Sequence, residues 1–180
     1  MIILMGQAGS GKSLQGRLLA DEYGYAWIST GEILRVLITG KRRQEMLTGK
    51  LLSDQEMIQI MDKVLELIDI KQEFVLDGFP RTKPQAEWLL RQVKQGCFRL
   101  TAIFDLIASE DVVRERLSKR GRPDDTPDAI ATRFQEHQAV TLPILKYFQS
   151  AGTAVHDIDG EKSPLAVHQA IIDIIHARLP

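Results

Sequence analysis

The segment Gly6-Gln7-Ala8-Gly9-Ser10-Gly11-Lys12-Ser13 matches the pattern G-x-x-x-x-G-K-[ST], and no other stretch constrains the fold as much. It stands between a short apolar run, Ile2 to Met5, and a stretch of helical periodicity, Lys12 to Tyr23, with Leu14, Leu18, Leu19 and Tyr23 on one face. A strand, a glycine loop and a helix in this order aim backbone N–H groups at one spot, where the helix N-terminus adds partial positive charge. A polyphosphate fits such a nest. Lys12 would reach the β and γ phosphates, and the Ser13 hydroxyl would meet a magnesium ion directly or through water. A plain glycine turn needs neither the lysine nor the hydroxyl. The loop marks a nucleoside triphosphate site and leaves the reaction open, because ATPases, GTPases, switches and kinases share it.

The rest of the chain repeats the alternation. Strand candidates are Ile2 to Met5, Ala26 to Ile28, Phe74 to Leu76, Leu100 to Ile107 and Ala154 to Ile158. Helical periodicity covers Lys12 to Tyr23, Asp54 to Ile70, Thr82 to Val93, Ser109 to Lys119, Pro127 to Gln149 and Pro164 to Leu179. Short apolar strands alternating with amphipathic helices predict an α/β fold, a parallel sheet covered on both faces. Two stretches fall outside the alternation. Residues 30–59 are too long for one crossover helix and read as a helical excursion, whereas Gly121 to Pro127 is a short loop dense in turn formers and charge.

At 180 residues and 44% hydrophobic composition, the chain suits one domain with a real core. Its 23 Lys and Arg nearly cancel its 24 Asp and Glu, which argues against nucleic acid or an anionic membrane as a partner. Any phosphate site must therefore gather its arginines locally. No run approaches the ~18 apolar residues of a membrane span, and the N-terminus lacks the form of a signal peptide, so a soluble, cytoplasmic protein is expected. Cys97, without a partner for a disulfide or a zinc site, reads as a small buried hydrophobe. His137, His156, His168 and His176 show no metal-binding spacing and read as surface or helix-packing residues. Trp27 and Trp88 read as core anchors, and Lys41-Arg42-Arg43 as a solvated helix start, the alternative being a run that draws in anionic nucleotide.

A second constellation follows the buried run Phe74-Val75-Leu76. Asp77-Gly78-Phe79-Pro80-Arg81-Thr82 places Asp77 at the C-terminal end of a strand, the edge at which open α/β sheets bind ligands. A carboxylate there can hold the hydration shell of magnesium, and Arg81 offers a planar fork to a second phosphate.

These motifs together resemble the adenylate kinase family. The resemblance rests on the phosphate loop followed by Gln15, on Ile28-Ser29-Thr30-Gly31-Glu32-Ile33-Leu34-Arg35, on Gly49-Lys50-Leu51-Leu52-Ser53-Asp54, and on Asp77 to Thr82 with Gln85. It continues in collinear order through Glu115-Arg116, Arg120, Arg122 with Asp124-Asp125, Arg133 and Asp159-Gly160-Glu161-Lys162. The resemblance implies a phosphate-loop NTPase fold with a five-stranded parallel sheet flanked by helices. It also implies a core (1–29, 60–115 and 127–180), a small helical monophosphate-binding insertion (30–59) and a very short lid (116–126). The implied activity is magnesium-dependent, reversible phosphoryl transfer from ATP to AMP giving two ADP, in nucleotide biosynthesis, by a monomer.

Carried over by position, Gly9, Ser10, Gly11, Lys12, Ser13, Leu14, Arg116, Gly160 and Lys162 would meet ATP. Thr30, Gly31, Arg35, Lys50, Leu52, Gly78, Arg81, Gln85, Arg122 and Arg133 would meet AMP, with Gln85 reading the adenine edge. Lys12, Arg81, Arg116, Arg120, Arg122 and Arg133 would surround the phosphoryl group in flight, and Ser13 and Asp77 would hold magnesium, through water. Thr30 and Thr82 are the residues of adenylate kinases, where pyrimidine monophosphate kinases usually carry alanine and asparagine, so AMP is the expected acceptor.

The sequence departs from the family at the loop itself, where Ala8, Ser13 and Leu14 replace proline, glycine and threonine. The excursion is several residues shorter than usual, and only Gly121 to Thr126 stand where longer members carry a β-rich lid. The alternatives are a UMP/CMP-type kinase, a small-metabolite phosphate-loop kinase, and a nucleotide-binding regulatory module with weak turnover. A small-metabolite kinase would not be expected to carry Asp77-Gly78-Phe79-Pro80-Arg81 with Gln85.

Overall fold

In a computed structural model, which describes residues 1–47, 52–123 and 125–177, the apolar runs form one parallel sheet. Its strands are β1 (Ile2–Gly6), β2 (Ala26–Ser29), β3 (Phe74–Asp77), β4 (Ala102–Ile107) and β5 (Val155–Asp159), in the spatial order β2-β3-β1-β4-β5. Both faces of the central strands β1 and β3 are covered, which is why they read as near-continuous apolar runs, whereas β5 at the sheet edge is Val155-His156-Asp157-Ile158-Asp159. Ile3, Met5, Leu76 and Ile103 point to one buried cluster. Their neighbours Ile2, Leu4, Val75 and Phe104 point to another, the period of two expected of a strand.

The helices among these residues are α1 (Lys12–Tyr23), α2 (Thr30–Leu37), α3 (Gly40–Leu47), α4 (Asp54–Leu65), α5 (Lys83–Lys94), α6 (Glu110–Arg120), α7 (Pro127–Glu136), α8 (Leu142–Ser150) and α9 (Pro164–His176). From β1 the chain builds β2 and β3 on one side, then crosses to β4 and β5 on the other. That reversal leaves a crevice outside the carboxyl ends of β1, β3 and β4. None of the described helices is long and apolar enough to cross a membrane.

Several expectations are corrected by local chemistry. Helix α4 begins as expected, fixed by a capping box of Ser53 and Glu56, but ends at Leu65 rather than Ile70. Asp69 Oδ1 accepts the backbone N–H of Lys71 at 3.1 Å, an aspartate turn that competes with further helix. Met57 and Met61 of this helix join the core. The single helix expected from Pro127 to Gln149 is two helices joined by a π-helical turn, His137–Thr141, in which the Leu142 N–H reaches back to the His137 carbonyl. Pro143 has no N–H to continue a regular ladder, and its ring would strike a carbonyl one turn earlier; the wider turn relieves both constraints.

Cys97 is exposed, against expectation. The turn after α5 passes through Gly96 at φ +75°, the Cys97 N–H closes on the Gln92 carbonyl at 3.1 Å, and the side chain is left facing out. Trp88 is a core residue, but Trp27 is only partly buried; its indole takes the space a Cβ on Gly16 would need, and the Arg17 guanidinium stands 5.0 Å from its ring centroid.

Candidate active site

At the crevice lies a cleft of about 530 Å³, lined by the phosphate loop, the start of α2, the β3–α5 connection and the ends of α6 and α7. Lys12 Nζ donates to the carbonyls of Gly6 at 2.8 Å and Gln7 at 2.6 Å. Burial pulls its pKa down to about 8, against the attraction of Asp77 and Asp105 and with the repulsion of Arg81 and Arg120. The Ser13 hydroxyl donates to Asp77 Oδ2 at 2.6 Å, with Asp77 3% exposed at the end of β3. A hydroxyl and a carboxylate side by side are hard oxygen donors, a set suited to magnesium when water and phosphate oxygens supply the rest. Leu14, where threonine was the family pattern, is 45% exposed at the cleft wall.

The β3–α5 connection supplies the opposite wall. Gly78 sits at φ +81°, and a Cβ there would come within 2.8 Å of Thr30 Oγ1, so only glycine fits. Thr30 Oγ1 donates to the Gly78 carbonyl at 2.9 Å and is 2% exposed; its hydroxyl ties α2 to this loop. Arg81 Nε donates to the same carbonyl at 2.9 Å. Burial lowers the Arg81 pKa, and the neighbouring Asp77 opposes that shift. The Phe79–Pro80 peptide is cis.

Two arginine side chains and the backbone of a third arginine meet at Asp125, which the sequence resemblance included without giving it a role. Asp125, its side chain 1% exposed, accepts Arg120 Nε at 2.8 Å and Nη2 at 2.6 Å, Arg133 Nη1 at 3.3 Å, and the backbone N–H of Arg122 at 3.4 Å. This carboxylate gathers guanidinium groups that would otherwise repel one another. Glu32 on α2 accepts Arg122 Nη2 at 2.7 Å and Arg35 Nη2 at 3.3 Å, joining the 121–123 loop to the first helix of the excursion. The total charge conceals this local concentration of cations.

Of the residues expected at the site, Gly9, Gly11, Lys12, Ser13, Leu14, Thr30, Gly31, Arg35, Leu52, Asp77, Gly78, Arg81, Gln85, Arg116, Arg120, Arg122 and Arg133 line the one cleft. Ser10 is 1% exposed and stands outside the lining. Gly160 lies outside the lining. Its N–H donates to the Ile107 carbonyl at 2.8 Å, and a Cβ would stand 2.8 Å from the Ser10 carbonyl, so it seats the 159–163 turn against the phosphate loop. Arg116 Nη1 reaches the Gly160 carbonyl at 2.8 Å and links that turn to the cleft. Lys162, 63% exposed and 3.9 Å from Asp159, stands outside the cleft lining. Lys50 lies outside the described residues.

Arg43, Glu136 and His137 also line the cleft, and sequence reasoning missed them. Arg43 lies in the basic run read as a solvated helix start. His137 comes from the π-helical turn; neither ring nitrogen has a partner among the described residues, and burial, with the Lys12 charge, pushes its pKa down to about 4. Periodicity carries Glu136 and His137 along one regular helix; the basic run around Arg43 and the proline at Pro143 were local signs, but neither says which side chains reach the cleft. His168, by contrast, is buried between α1 and α9, with Nδ1 3.1 Å from Gln15 Oε1 and Nε2 2.8 Å from Glu22 Oε2.

The adenylate kinase family model matches residues 4–153, which takes in the phosphate loop, the β3–α5 connection and the arginine cluster. The chain is 36% identical to an adenylate kinase of Corynebacterium urealyticum over 177 residues, covering 95% of this chain and 96% of that one. It is 34% identical to an adenylate kinase of Nitrobacter hamburgensis over 88% of this chain and 84% of that protein. It is 32% identical to one of Leuconostoc mesenteroides subsp. mesenteroides over 97% and 96%. A match of this extent, on a parallel sheet whose switch point carries a phosphate loop facing gathered arginines, shows that the chain belongs to the adenylate kinase family.

Proposed function

We propose that this phosphotransferase carries the γ-phosphoryl group of ATP to AMP, reversibly and with magnesium, giving two ADP. The observation that carries the reading is the convergence of Lys12, Arg120, Arg122 and Arg133 on a cleft whose opposite wall holds Thr30, Arg35, Arg81 and Gln85. In the transition state negative charge spreads over the equatorial oxygens and no strong general base is required, so positioning and several cations supply most of the catalysis.

On this reading an oxygen of the AMP phosphate attacks the γ-phosphorus in line. The bond to the β–γ bridging oxygen breaks, and its electrons stay with the departing ADP. The loop from Gly9 to Leu14 and Arg116 hold the ATP phosphates, with Gly160 and Lys162 by the adenine of ATP. Thr30, Gly31, Arg35, Lys50, Leu52, Gly78, Arg81, Gln85, Arg122 and Arg133 receive AMP. Ser13 and Asp77 would hold magnesium, partly through water, and the ion would supply positive charge against the phosphates. The core (1–29, 60–115 and 127–180) is the fixed frame, and residues 30–59 and 116–126 close on it. The protein acts in the cytoplasm as a monomer.

The acceptor is tested by coupled assay with AMP, GMP, CMP and UMP, each with ATP. The highest kcat/KM is expected with AMP, and a preference for a pyrimidine would reverse the assignment. The short loop from Gly121 to Thr126 carries a second expectation. Lid closure excludes water from the phosphoryl group, and a trimmed lid excludes less. ADP formation from ATP alone, relative to phosphotransfer, should exceed that of a long-lid relative assayed beside it; negligible hydrolysis would contradict this.

A further inference from the structure

Gln85 is 2% exposed at the wall of the cleft, and both ends of its side-chain amide are held. Nε2 donates to Asp54 Oδ1 at 2.8 Å, and Oε1 accepts the backbone N–H of Arg81 at 2.8 Å. The Thr82 hydroxyl donates to the same Asp54 oxygen. A carboxylate oxygen only accepts and a backbone N–H only donates, so these two partners fix which end of the amide is nitrogen and which is oxygen. Turning the amide over would set Oε1 against Asp54 Oδ1 and Nε2 against the Arg81 N–H. Two hydrogen bonds would be lost and two contacts of like polarity made, in a buried place.

An amide nitrogen carries two hydrogens and an amide oxygen two lone pairs, so one donor and one acceptor of Gln85 remain. In the fixed order they match a base that presents an amino N–H beside an unprotonated ring nitrogen, as adenine and cytosine do. A base with a carbonyl oxygen beside a ring N–H, such as hypoxanthine, guanine or uracil, requires the opposite order.

We propose that Asp54 is a positioning residue that locks the Gln85 amide in one orientation and thereby makes the acceptor site select 6-aminopurine over 6-oxopurine monophosphates. This rests on the reading that Gln85 faces the acceptor base. Asp54 opens α4, while Gln85 and the Arg81 N–H belong to the β3–α5 connection and the first turn of α5. The lock therefore holds only when these two elements stand in register.

AMP and IMP isolate the effect, because they differ only in the 6-substituent and the proton on the adjacent ring nitrogen. Steady-state kcat and KM for both acceptors are measured in the wild type, Asp54→Asn and Asp54→Glu, with a thermal melt of each to show that it is folded. Asparagine can turn to offer a donor and so releases half of the lock, whereas glutamate keeps an acceptor-only group. The AMP-to-IMP ratio of kcat/KM is expected to fall by about tenfold in Asp54→Asn, mainly through a lower KM for IMP. It should recover in Asp54→Glu. A folded Asp54→Asn variant with the wild-type ratio would overturn the proposal, a result a purely structural role for Asp54 would give. Should the wild type take a pyrimidine acceptor instead, the ATP-to-AMP reading falls, and the same amide order then requires CMP over UMP. UMP over CMP would overturn the orientation itself, without recourse to any variant.

Discussion

Lys12→Met is expected to lower kcat by about 10²- to 10³-fold, the loss that follows removal of one preorganised electrostatic contact to a transition state. Methionine nearly preserves the shape of the lysine stem, so packing under the loop should survive. The carbonyls of Gly6 and Gln7 lose a donor, but the variant no longer buries a charge, and burial is the main cause of the lysine's lowered pKa. These effects oppose each other, and the melting temperature should move little.

The same lysine predicts a pH dependence with a definite sign. With its pKa near 8, Lys12 is protonated below that pH and loses its charge above it. Because kcat/KM reports the free enzyme, it should fall as pH rises through about 8, and that limb should be absent from the Lys12→Met profile. Full activity in Lys12→Met would show the proposed mechanism to be wrong.

Arg81→Ala should reduce kcat/KM for AMP by about 10²- to 10³-fold, through KM as well as kcat. The guanidinium is held by the Gly78 carbonyl and attracted by Asp77, so it is already oriented before a phosphate arrives. Its removal takes a cation from the site and leaves Asp77 and Glu136 less compensated. The Glu136 carboxyl is already pushed up by burial, with Arg81 and Arg133 acting to lower it, and losing Arg81 raises it further. Steady-state assays with AMP varied at saturating ATP make the check. An unchanged kcat/KM would reduce Arg81 to a structural tie on Gly78.

The parts of the site that were legible in the sequence are those fixed by local geometry. The phosphate loop reads directly because its glycines, lysine and hydroxyl act within eight residues and stand between a strand and a helix. Asp77 could be placed because a short apolar run before it made it the end of a strand. The centre of the sheet was legible for the same reason, since β1 and β3, buried on both faces, leave near-continuous apolar runs.

What was not legible depends on distant chain segments. Glu32 and Arg122 stand 90 residues apart in sequence, and nothing near either announces the other. Asp125 appears beside the arginines in the sequence, but its role as their common acceptor depends on how α6 and α7 leave the loop between them. The Gln85 amide was expected to read a base; that Asp54, 31 residues earlier, sets its orientation could not be inferred from spacing. The π-helical turn escaped because apolar periodicity runs straight through it, although Pro143 was a local sign that a regular helix would be interrupted. Cys97 followed the turn geometry after Gly96 rather than the usual habit of a free thiol.

The central claim is that the gathered cations pass a phosphoryl group between two nucleotides. The most direct test follows a mixture of ATP, AMP and magnesium by ³¹P NMR after adding the protein. ATP and AMP should disappear in equal amounts, with two ADP formed for each pair consumed, and the same mixture of three nucleotides should be reached starting from ADP alone. Loss of ATP to ADP and inorganic phosphate, with AMP unchanged, would contradict the account.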